Sequence, residues 1–129
     1  MILLDSHVLI WTVLDSKRLS RAAASAILRA RRNDGLAVSA ITAYEIAWLV
    51  ASGKVHGYGT VEASVRRFLE GVTVRPITPE IAALATQFPA DYPRDPADRL
   101  IGATSRAEGL TLVTRDERIR RSPLLKTVW

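Results

Sequence analysis

Short apolar runs alternate along this chain with longer segments in which apolar residues recur every three or four positions. We interpret the short runs as five buried strands, at Ile2–Leu4, residues 36–38, Val72–Arg75, residues 110–114 and, most weakly, residues 126–129. Strands that lack regular polar alternation are typical of parallel sheets covered by helices on both faces. The pattern therefore predicts an α/β domain in which helices connect parallel strands.

Capping residues and glycines bracket the segments of helical period. The predicted helices cover Arg21–Arg32 after Ser20, Ala40–Ala51 after Ser39, residues 61–70, a segment from Thr78 and Pro79 to near Phe88, and a segment from Asp95 and Pro96 to Gly109. No repeat, low-complexity stretch or long linker separates them. We therefore expect residues 1–129 to form one domain.

The composition limits the chemistry that the chain can carry. It has 129 residues, of which 48% are hydrophobic and 24% charged, and this suits one compact core. There is no cysteine, which excludes disulfides, thiolate metal sites and cysteine nucleophiles. Any bound metal must therefore be held by oxygen or imidazole ligands.

Charge and targeting signals suggest where the protein works and on what. The sequence opens with Met-Ile-Leu-Leu-Asp and shows neither a signal peptide nor an apolar span of membrane-crossing length, so we expect a cytoplasmic protein with no membrane partner. A net charge of +5 and a pI near 10.2 favour polyanions, with nucleic acid first. An ordinary solvated basic surface is the alternative interpretation.

Two aspartates follow predicted strands directly. Asp5 comes after Ile2–Leu4, and Asp116 comes after Leu112, Val113, Thr114 and Arg115. Ligands of open parallel sheets gather at the carboxyl ends of the strands, so both residues are candidates for a functional site. Taken singly, each could instead be a helix cap or a turn residue.

Three further acids lie in predicted helices or at their starts. Glu45 sits in a helix that is apolar on almost every face, so the pattern predicts burial and hence pairing, protonation or metal binding. An ion pair with an arginine is the structural alternative for Glu45. Asp95 is placed to cap the helix that begins at Pro96. Asp98 lies in the first turn of that helix. It could belong to a functional site, or its carboxylate could merely be stabilised there by the helix dipole.

Scattered carboxylates of this kind can converge on one rim of a sheet. Oxygen ligands are those that Mg²⁺ and Mn²⁺ prefer. A divalent metal in such a site can polarise a phosphoryl oxygen, lower the pKa of a bound water and offset charge on a leaving oxygen. Phosphodiester hydrolysis is the reaction that this chemistry favours.

Four segments together resemble the PIN-domain ribonucleases, and most closely the VapC-type toxins of toxin–antitoxin pairs. They are Asp5-Ser6-His7, Glu45 within the segment 39–46, Asp95-Pro96-Ala97-Asp98-Arg99-Leu100-Ile101, and Leu112-Val113-Thr114-Arg115-Asp116. The resemblance extends over nearly the whole chain, with the motifs in the family's order and spacing. Two departures are Ser6, where Thr is commoner, and Ala97, where Phe is frequent. Ala97 puts in doubt how the preceding loop packs, and with it the fit of a substrate.

The resemblance implies a three-layer α/β/α domain with a central parallel sheet and Mg²⁺- or Mn²⁺-dependent endonucleolytic cleavage of RNA. It also implies a homodimer held inactive by a VapB-like antitoxin. The family's acidic metal ligands fall on Asp5, Glu45, Asp98 and Asp116, and its surrounding polar positions on Ser6, Ser39, Thr114 and Arg115. Asp95 matches a recurrent helix-starting residue of the family.

Other polar and aromatic residues have two possible roles each. We interpret His7 as an early residue of the first helix rather than a general base, and His56 as a surface loop residue. Trp11 and Trp48 are expected in the core or at a partner interface before any base-stacking role. A basic cluster beside Asp116 could grip RNA phosphates, meet an acidic partner or be a solvated face; its members are Arg115, Arg118, Arg120 and Arg121.

Several other functions compete with this interpretation. A haloacid-dehalogenase-like phosphatase requires a second Asp two residues after the first, where this chain has His7. A receiver domain requires an Asp and a Lys after later strands. An inactive PIN-like binding module and a DNA-directed nuclease are the remaining alternatives. The intact set of four acids argues against the first, and the small size argues against duplex-clamping elements in the second.

Overall fold

Five parallel strands form one central sheet in the computed structural model, which describes residues 1–129. The strands are β1 (Ile2–Leu4), β2 (Leu36–Ser39), β3 (Val72–Arg75), β4 (Leu112–Val113) and β5 (Thr127–Val128). Their order in the sheet is β3-β2-β1-β4-β5, and every neighbouring pair is parallel. The predicted parallel sheet of five strands is confirmed.

Seven helices connect and cover the strands. They are α1 (Ser6–Leu14), α2 (Arg21–Arg32), α3 (Ala40–Ala51), α4 (Val61–Phe68), α5 (Pro79–Thr86), α6 (Pro96–Glu108) and α7 (Glu117–Arg120), with a short 3₁₀ turn at Ser16–Arg18. None of them combines the length and the apolar character needed to cross a bilayer. The predicted caps Ser20, Ser39, Thr78 and Asp95 each accept a hydrogen bond from a backbone N–H of the helix that follows.

The predicted boundaries need small corrections. Helix α4 ends two residues before Glu70 and α5 two residues before Phe88, because each closes in a tight turn that leads into the next segment. Strand β4 excludes Leu110, whose backbone carbonyl accepts from the Ser105 hydroxyl at 2.6 Å and whose N–H donates to the Ser105 carbonyl. These bonds hold Leu110 at the end of α6. Helix α7 was absent from the sequence pattern because four residues are too few for a periodicity.

Alternate strand residues pack into two separate cores, one on each face of the sheet. Leu4 and Val113 point to one face, where they meet residues of α1, α2 and α4; Leu3 and Leu112 point to the other, where they meet α5, α6 and α7. Side chains of successive strand residues point to opposite faces, and this gives each core its own set. The arrangement is the predicted three-layer α/β/α domain.

The loop between α5 and α6 is fixed by Arg99. Its guanidinium donates to the backbone carbonyls of Phe88 at 2.8 Å, Pro93 at 3.0 Å and Pro89 at 3.1 Å. Hydrogen bonds from a charged donor are stronger than those between neutral groups. Arg99 therefore ties the loop to the first turn of α6 and fixes the position of the neighbouring Asp98.

The same helix approaches an aromatic pair closely. Phe88 and Tyr92 pack edge to face, with ring centroids 4.7 Å apart. A methyl group at Gly102 would overlap the Tyr92 hydroxyl and lie 2.8 Å from Cε2 of Phe88. Both rings are buried, so neither has room to move aside. Only glycine lets α6 lie this close to the loop.

We expect Gly102→Ala to lower the free energy of unfolding by about 1–3 kcal/mol in urea titrations, because overpacking outweighs a gain in helix propensity of up to ~1 kcal/mol. Tyr92→Phe removes the hydroxyl that the methyl overlaps. In a double-mutant cycle it should therefore restore part of the loss. A Gly102→Ala protein more stable than wild type would contradict this account of the packing.

Candidate active site

A cleft at the carboxyl edge of the sheet brings the predicted acids together. Its volume is about 270 Å³, and it is lined by Asp5, His7, Val8, Trp11, Glu45, Asp95, Asp98, Arg115 and Asp116. Asp5 and Asp116 arrive there because β1 and β4 are neighbours in the sheet. Residues from three helix starts and from α3 complete the wall, so acids distant in sequence share one small space.

Asp5 is both a helix cap and a wall of the cleft. Its Oδ1 accepts from the N–H of Ser6 at 2.9 Å, and its Oδ2 accepts from the hydroxyl of Thr114 at 2.7 Å. Burial raises the pKa of the Asp5 carboxyl even though both hydrogen bonds act to lower it. The cap and site interpretations of Asp5 are therefore compatible.

Thr114 connects the two strand-end aspartates. Its buried hydroxyl donates to Asp5 and accepts from the backbone N–H of Asp116 at 3.2 Å. Oδ1 of Asp116 accepts in turn from the N–H groups of Arg118 at 2.8 Å and Ile119 at 3.1 Å, which begins α7. One carboxylate oxygen of Asp116 is thus used by the fold, and the other is left for the cleft.

Glu45 is half-buried, so the predicted burial is only partial. Helix α3 turns only a narrow stripe through Thr42 and Ile46 fully inward, and Tyr44 and Trp48 are 66% and 50% exposed. The predicted alternative, an ion pair with an arginine, is also wrong, because no cationic side chain lies within salt-bridge distance of Glu45. Its Oε1 instead accepts from the hydroxyl of Ser6 at 2.5 Å.

A hydroxyl chain behind Glu45 includes a residue that the sequence analysis missed. The hydroxyls of Thr42 and Ser6 lie 2.8 Å apart, and both residues are buried. The single hydrogen of Ser6 goes to the Glu45 carboxylate, so Thr42 is the donor to Ser6. Thr42 precedes Glu45 by three positions on the same helix face, and that spacing was the available signal. Partial burial raises the pKa of Glu45, with the Asp5 charge adding to the effect.

The two aspartates of α6 have different environments. Oδ1 of Asp95 accepts from the N–H groups of Ala97 at 2.8 Å and Asp98 at 3.2 Å, as a helix cap should. The Asp98 carboxylate has no hydrogen bond or ion pair within the chain. Burial, with the charges of Asp5, Asp95, Asp116 and Glu45 in descending order, raises the pKa of Asp98 to about 7.

The acids of the cleft have no salt-bridge partner. The four ion pairs of the protein all lie elsewhere, at Met1–Asp34, Glu62–Arg66, Arg67–Glu70 and Arg75–Glu108. As the side chains stand, no three acidic or histidine groups are close enough to enclose a metal ion directly. Mg²⁺ retains several waters and takes only one or two carboxylates directly, so this open set of oxygen donors fits a hydrated Mg²⁺ or Mn²⁺.

The other predicted polar residues differ in their distance from the acids. Ser39 is fully buried and caps α3, accepting from the N–H of Ile41 at 3.3 Å, and it is not part of the cleft wall. Arg115 is exposed and lines the cleft. His7 lies in the first turn of α1, as predicted, and also lines the cleft. His56 is exposed in the loop after α3, as predicted.

The two singled-out tryptophans are placed differently. Trp11 is partly buried against the core and also lines the cleft, where the guanidinium carbon of Arg115 lies 5.9 Å from its ring centroid. Trp48 projects from α3 with the ammonium of Lys54 4.7 Å from its ring centroid. Trp11 therefore lies only partly in the predicted core position. Trp48 lies at the surface and not in the core.

Comparisons with known proteins identify the family of the chain. Residues 2–123 match the PIN domain family. The chain is 44% identical over 130 residues to ribonuclease VapC22 of Mycobacterium tuberculosis, covering 99% of this chain and 98% of that protein.

Two solved structures share the fold. VapBC2 of Rickettsia felis, bound to a promoter DNA fragment, has a TM-score of 0.75 at 18% identity, covering 98% of this chain and 97% of that one. A toxin–antitoxin complex from Klebsiella pneumoniae has a TM-score of 0.67 at 24% identity, covering 97% and 95%. The chain therefore belongs to the PIN domain family, in its VapC-type group.

Proposed function

We propose that this chain is a Mg²⁺- or Mn²⁺-dependent endoribonuclease and the toxin of a toxin–antitoxin pair. The relative named ribonuclease VapC22 supports the reaction class, since it is 44% identical over 99% of this chain. The observation that carries the proposal is Asp98. Its unpartnered carboxylate faces four other acids, and its pKa is raised to about 7. A bound cation would stabilise the ionised form of such a carboxylate.

The proposed metal site uses the carboxylates of Asp5, Glu45, Asp98 and Asp116. Each retains at least one oxygen that no backbone group of the fold occupies: Oδ2 in Asp5 and Asp116, and both carboxylate oxygens in Glu45 and Asp98. A divalent ion, when bound, supplies Lewis-acid polarisation of a phosphoryl oxygen and a water of lowered pKa.

The remaining residues of the cleft orient these groups. The Thr114 hydroxyl fixes the rotamer of Asp5, and the chain from Thr42 through Ser6 fixes that of Glu45. Ordered hydrogen bonds of this kind hold a charged group in place before the substrate arrives. Arg115, at the rim of the cleft, is placed to pair with a phosphate beside the scissile bond.

Asp5→Asn should reduce cleavage of unstructured RNA by at least about 100-fold, because it removes a charged metal ligand and leaves one acceptor oxygen for the two hydrogen bonds that Asp5 accepts. The measurement is gel-resolved cleavage of labelled RNA and of DNA of the same sequence, each with Mn²⁺ or with EDTA. Wild type should cleave RNA only with the metal. Equal cleavage in EDTA would exclude the metal mechanism, DNA cleavage alone would make the chain a DNA nuclease, and no cleavage of either would favour a binding module.

Asp98→Asn and Asp95→Asn separate a metal ligand from a helix cap on one helix. Asn caps nearly as well as Asp, so Asp95→Asn should change stability by well under ~1 kcal/mol. Mn²⁺ at about 100 times its Kd should raise the Tm of wild type and Asp95→Asn by roughly 5–10 °C. Asp98→Asn should show little of this shift in the same scans. A full Mn²⁺ shift in Asp98→Asn with none in Asp95→Asn would reverse the assignment.

The thermal stability of the metal-free protein should depend on pH through Asp98. The pKa of Asp98 is about 7 in the fold against 3.8 for the free side chain, so the folded state binds the proton more tightly. The stability that this proton contributes is fully present below about pH 4 and is lost as pH rises to about 7. In EDTA, the Tm of wild type should fall relative to that of Asp98→Asn across this window. Parallel curves for the two proteins would contradict the raised pKa.

We propose that a VapB-like antitoxin holds the enzyme inactive and that the chain forms homodimers. The complexes from Rickettsia felis and Klebsiella pneumoniae are of this toxin–antitoxin kind. A basic side chain of the antitoxin would compensate the unpaired acids of the cleft, and exposed Tyr44 and Trp48 offer apolar contact area.

The antitoxin proposal is tested by expression in cells. Strong expression of the chain alone should arrest growth, whereas Asp5→Asn should be tolerated at the same protein level. Light scattering of purified Asp5→Asn protein should give the mass of a dimer. Normal growth with active wild type, together with a monomer mass, would remove this part of the proposal.

A further inference from the structure

A second groove lies beside the acid cleft and has no part in the chemistry described so far. We call it the Trp129 groove; its volume is about 660 Å³, and it is lined by Glu117, Arg120, Arg121, Thr127, Val128 and Trp129. Helix α7 forms one wall and strand β5, at the edge of the sheet, forms the other. Its wall therefore includes one large aromatic ring and two guanidinium groups.

The Trp129 groove lies near the acid cleft. Val128 pairs with Val113 of β4, so Trp129 emerges at the same carboxyl edge of the sheet as Asp116. The ring of Trp129 lies 5.9 Å from that of Trp11, centroid to centroid, and Trp11 lines the cleft. Two indole rings thus bridge the short distance between the acids and the groove.

Guanidinium groups surround this aromatic bridge. The guanidinium carbon of Arg18 lies 4.8 Å from the Trp11 ring centroid, and that of Arg115 lies 5.9 Å from it. Arg120 and Arg121 are exposed, and neither forms an ion pair, in contrast to the paired Arg66. Glu117 is the only acidic side chain in the wall of the groove.

Aromatic rings interleaved with unpaired arginines are the features by which proteins bind single-stranded nucleic acid, through base stacking and phosphate contacts. We propose that the Trp129 groove binds the unpaired RNA segment that continues from the phosphate held in the acid cleft. Trp129 stacks on a base, and Arg120 and Arg121 bind the phosphates beside it. This inference rests on the proposed function and adds to it a second binding surface, for RNA longer than the cleft itself can hold.

The charge part of the proposal is tested by RNA binding. The assay is fluorescence anisotropy of a labelled, unstructured ten-nucleotide RNA in EDTA, where the metal-dependent enzyme cannot cleave. Arg120→Gln/Arg121→Gln should weaken binding about tenfold and reduce the slope of log K against log salt by about 1 to 1.5, because each single-strand phosphate contact contributes about 0.7.

Two controls bracket this variant. Arg31→Gln/Arg32→Gln removes the same charge from the end of α2, which leads into the start of β2 and thus lies at the opposite edge of the sheet. It should leave affinity and salt slope close to those of wild type. Glu117→Gln removes the one acidic side chain of the groove and should tighten binding. Equal effects from the two double-arginine variants would show that RNA affinity depends only on the overall charge of the protein, and would overturn the proposal.

The stacking part is tested at Trp129 itself. Trp129→Leu keeps apolar bulk against the core but has no π-face, and it should lose about tenfold in affinity. Trp129→Phe retains a ring and should lose much less. Thermal melts of both variants establish that the fold is intact. Equal affinities for Leu and Phe at this position would exclude stacking.

Cleavage kinetics distinguish this inference from the proposed function. With Mn²⁺, Arg120→Gln/Arg121→Gln should raise KM for the ten-nucleotide RNA about tenfold at unchanged kcat, and it should leave KM for a trinucleotide unaltered. If wild type cleaves neither substrate, the proposed function is wrong. If wild type cleaves both and this variant matches the Arg31→Gln/Arg32→Gln control, the enzyme assignment stands and the groove assignment is wrong.

Discussion

Electrostatic repulsion among carboxylates is the constraint that organises this protein. Five acids share one cleft without a single salt bridge, and burial together with the charges of the other four raises the pKa of Asp98 to about 7. Like charges in a partly desolvated site disfavour one another's ionisation, and hydrogen bonds from the surrounding structure hold four of the five in place. Backbone N–H groups hold Asp5, Asp95 and Asp116, and a serine hydroxyl holds Glu45. The fold thereby keeps together carboxylates that their mutual repulsion alone would separate.

The parallel sheet makes this concentration of charge possible. Strands that run in one direction deliver their carboxyl ends to one edge, and the helices that follow begin there with unsatisfied N–H groups. Capping by Asp5 and Asp116 therefore stabilises α1 and α7 and also positions charge in the cleft. The two buried cores and the Arg99 contacts to the loop before α6 supply rigidity from behind. Structural and chemical roles coincide in the same carboxylates.

The parts of this architecture that depend on local sequence could be predicted. Strand ends located Asp5 and Asp116, and the Asp-Pro start of α6 identified Asp95 as a cap. The apolar pattern singled out Glu45 and the helix start singled out Asp98, but their assignment as metal ligands came from the family resemblance. Hydrophobic patterning cannot tell which face of an apolar helix meets a cleft. The exposure of Tyr44 and Trp48 shows this limit. The hydroxyl chain through Thr42 and the groove at Trp129 depend on contacts between distant segments, which no local pattern encodes.

The distribution of charge also bears on how a polyanion could approach such a site. The chain carries a net charge of +5, yet its cleft is lined by five carboxylates. Without a cation these acids repel a phosphate at short range, while the arginines of α7 and its flanks attract the same chain from further away. Attraction at the rim and repulsion at the centre leave RNA near the acids but out of reach of them. Under the proposed function, a divalent cation among the carboxylates would offset part of this negative charge and give a phosphate oxygen a direct partner, so metal occupancy would govern whether an RNA held at the rim can enter.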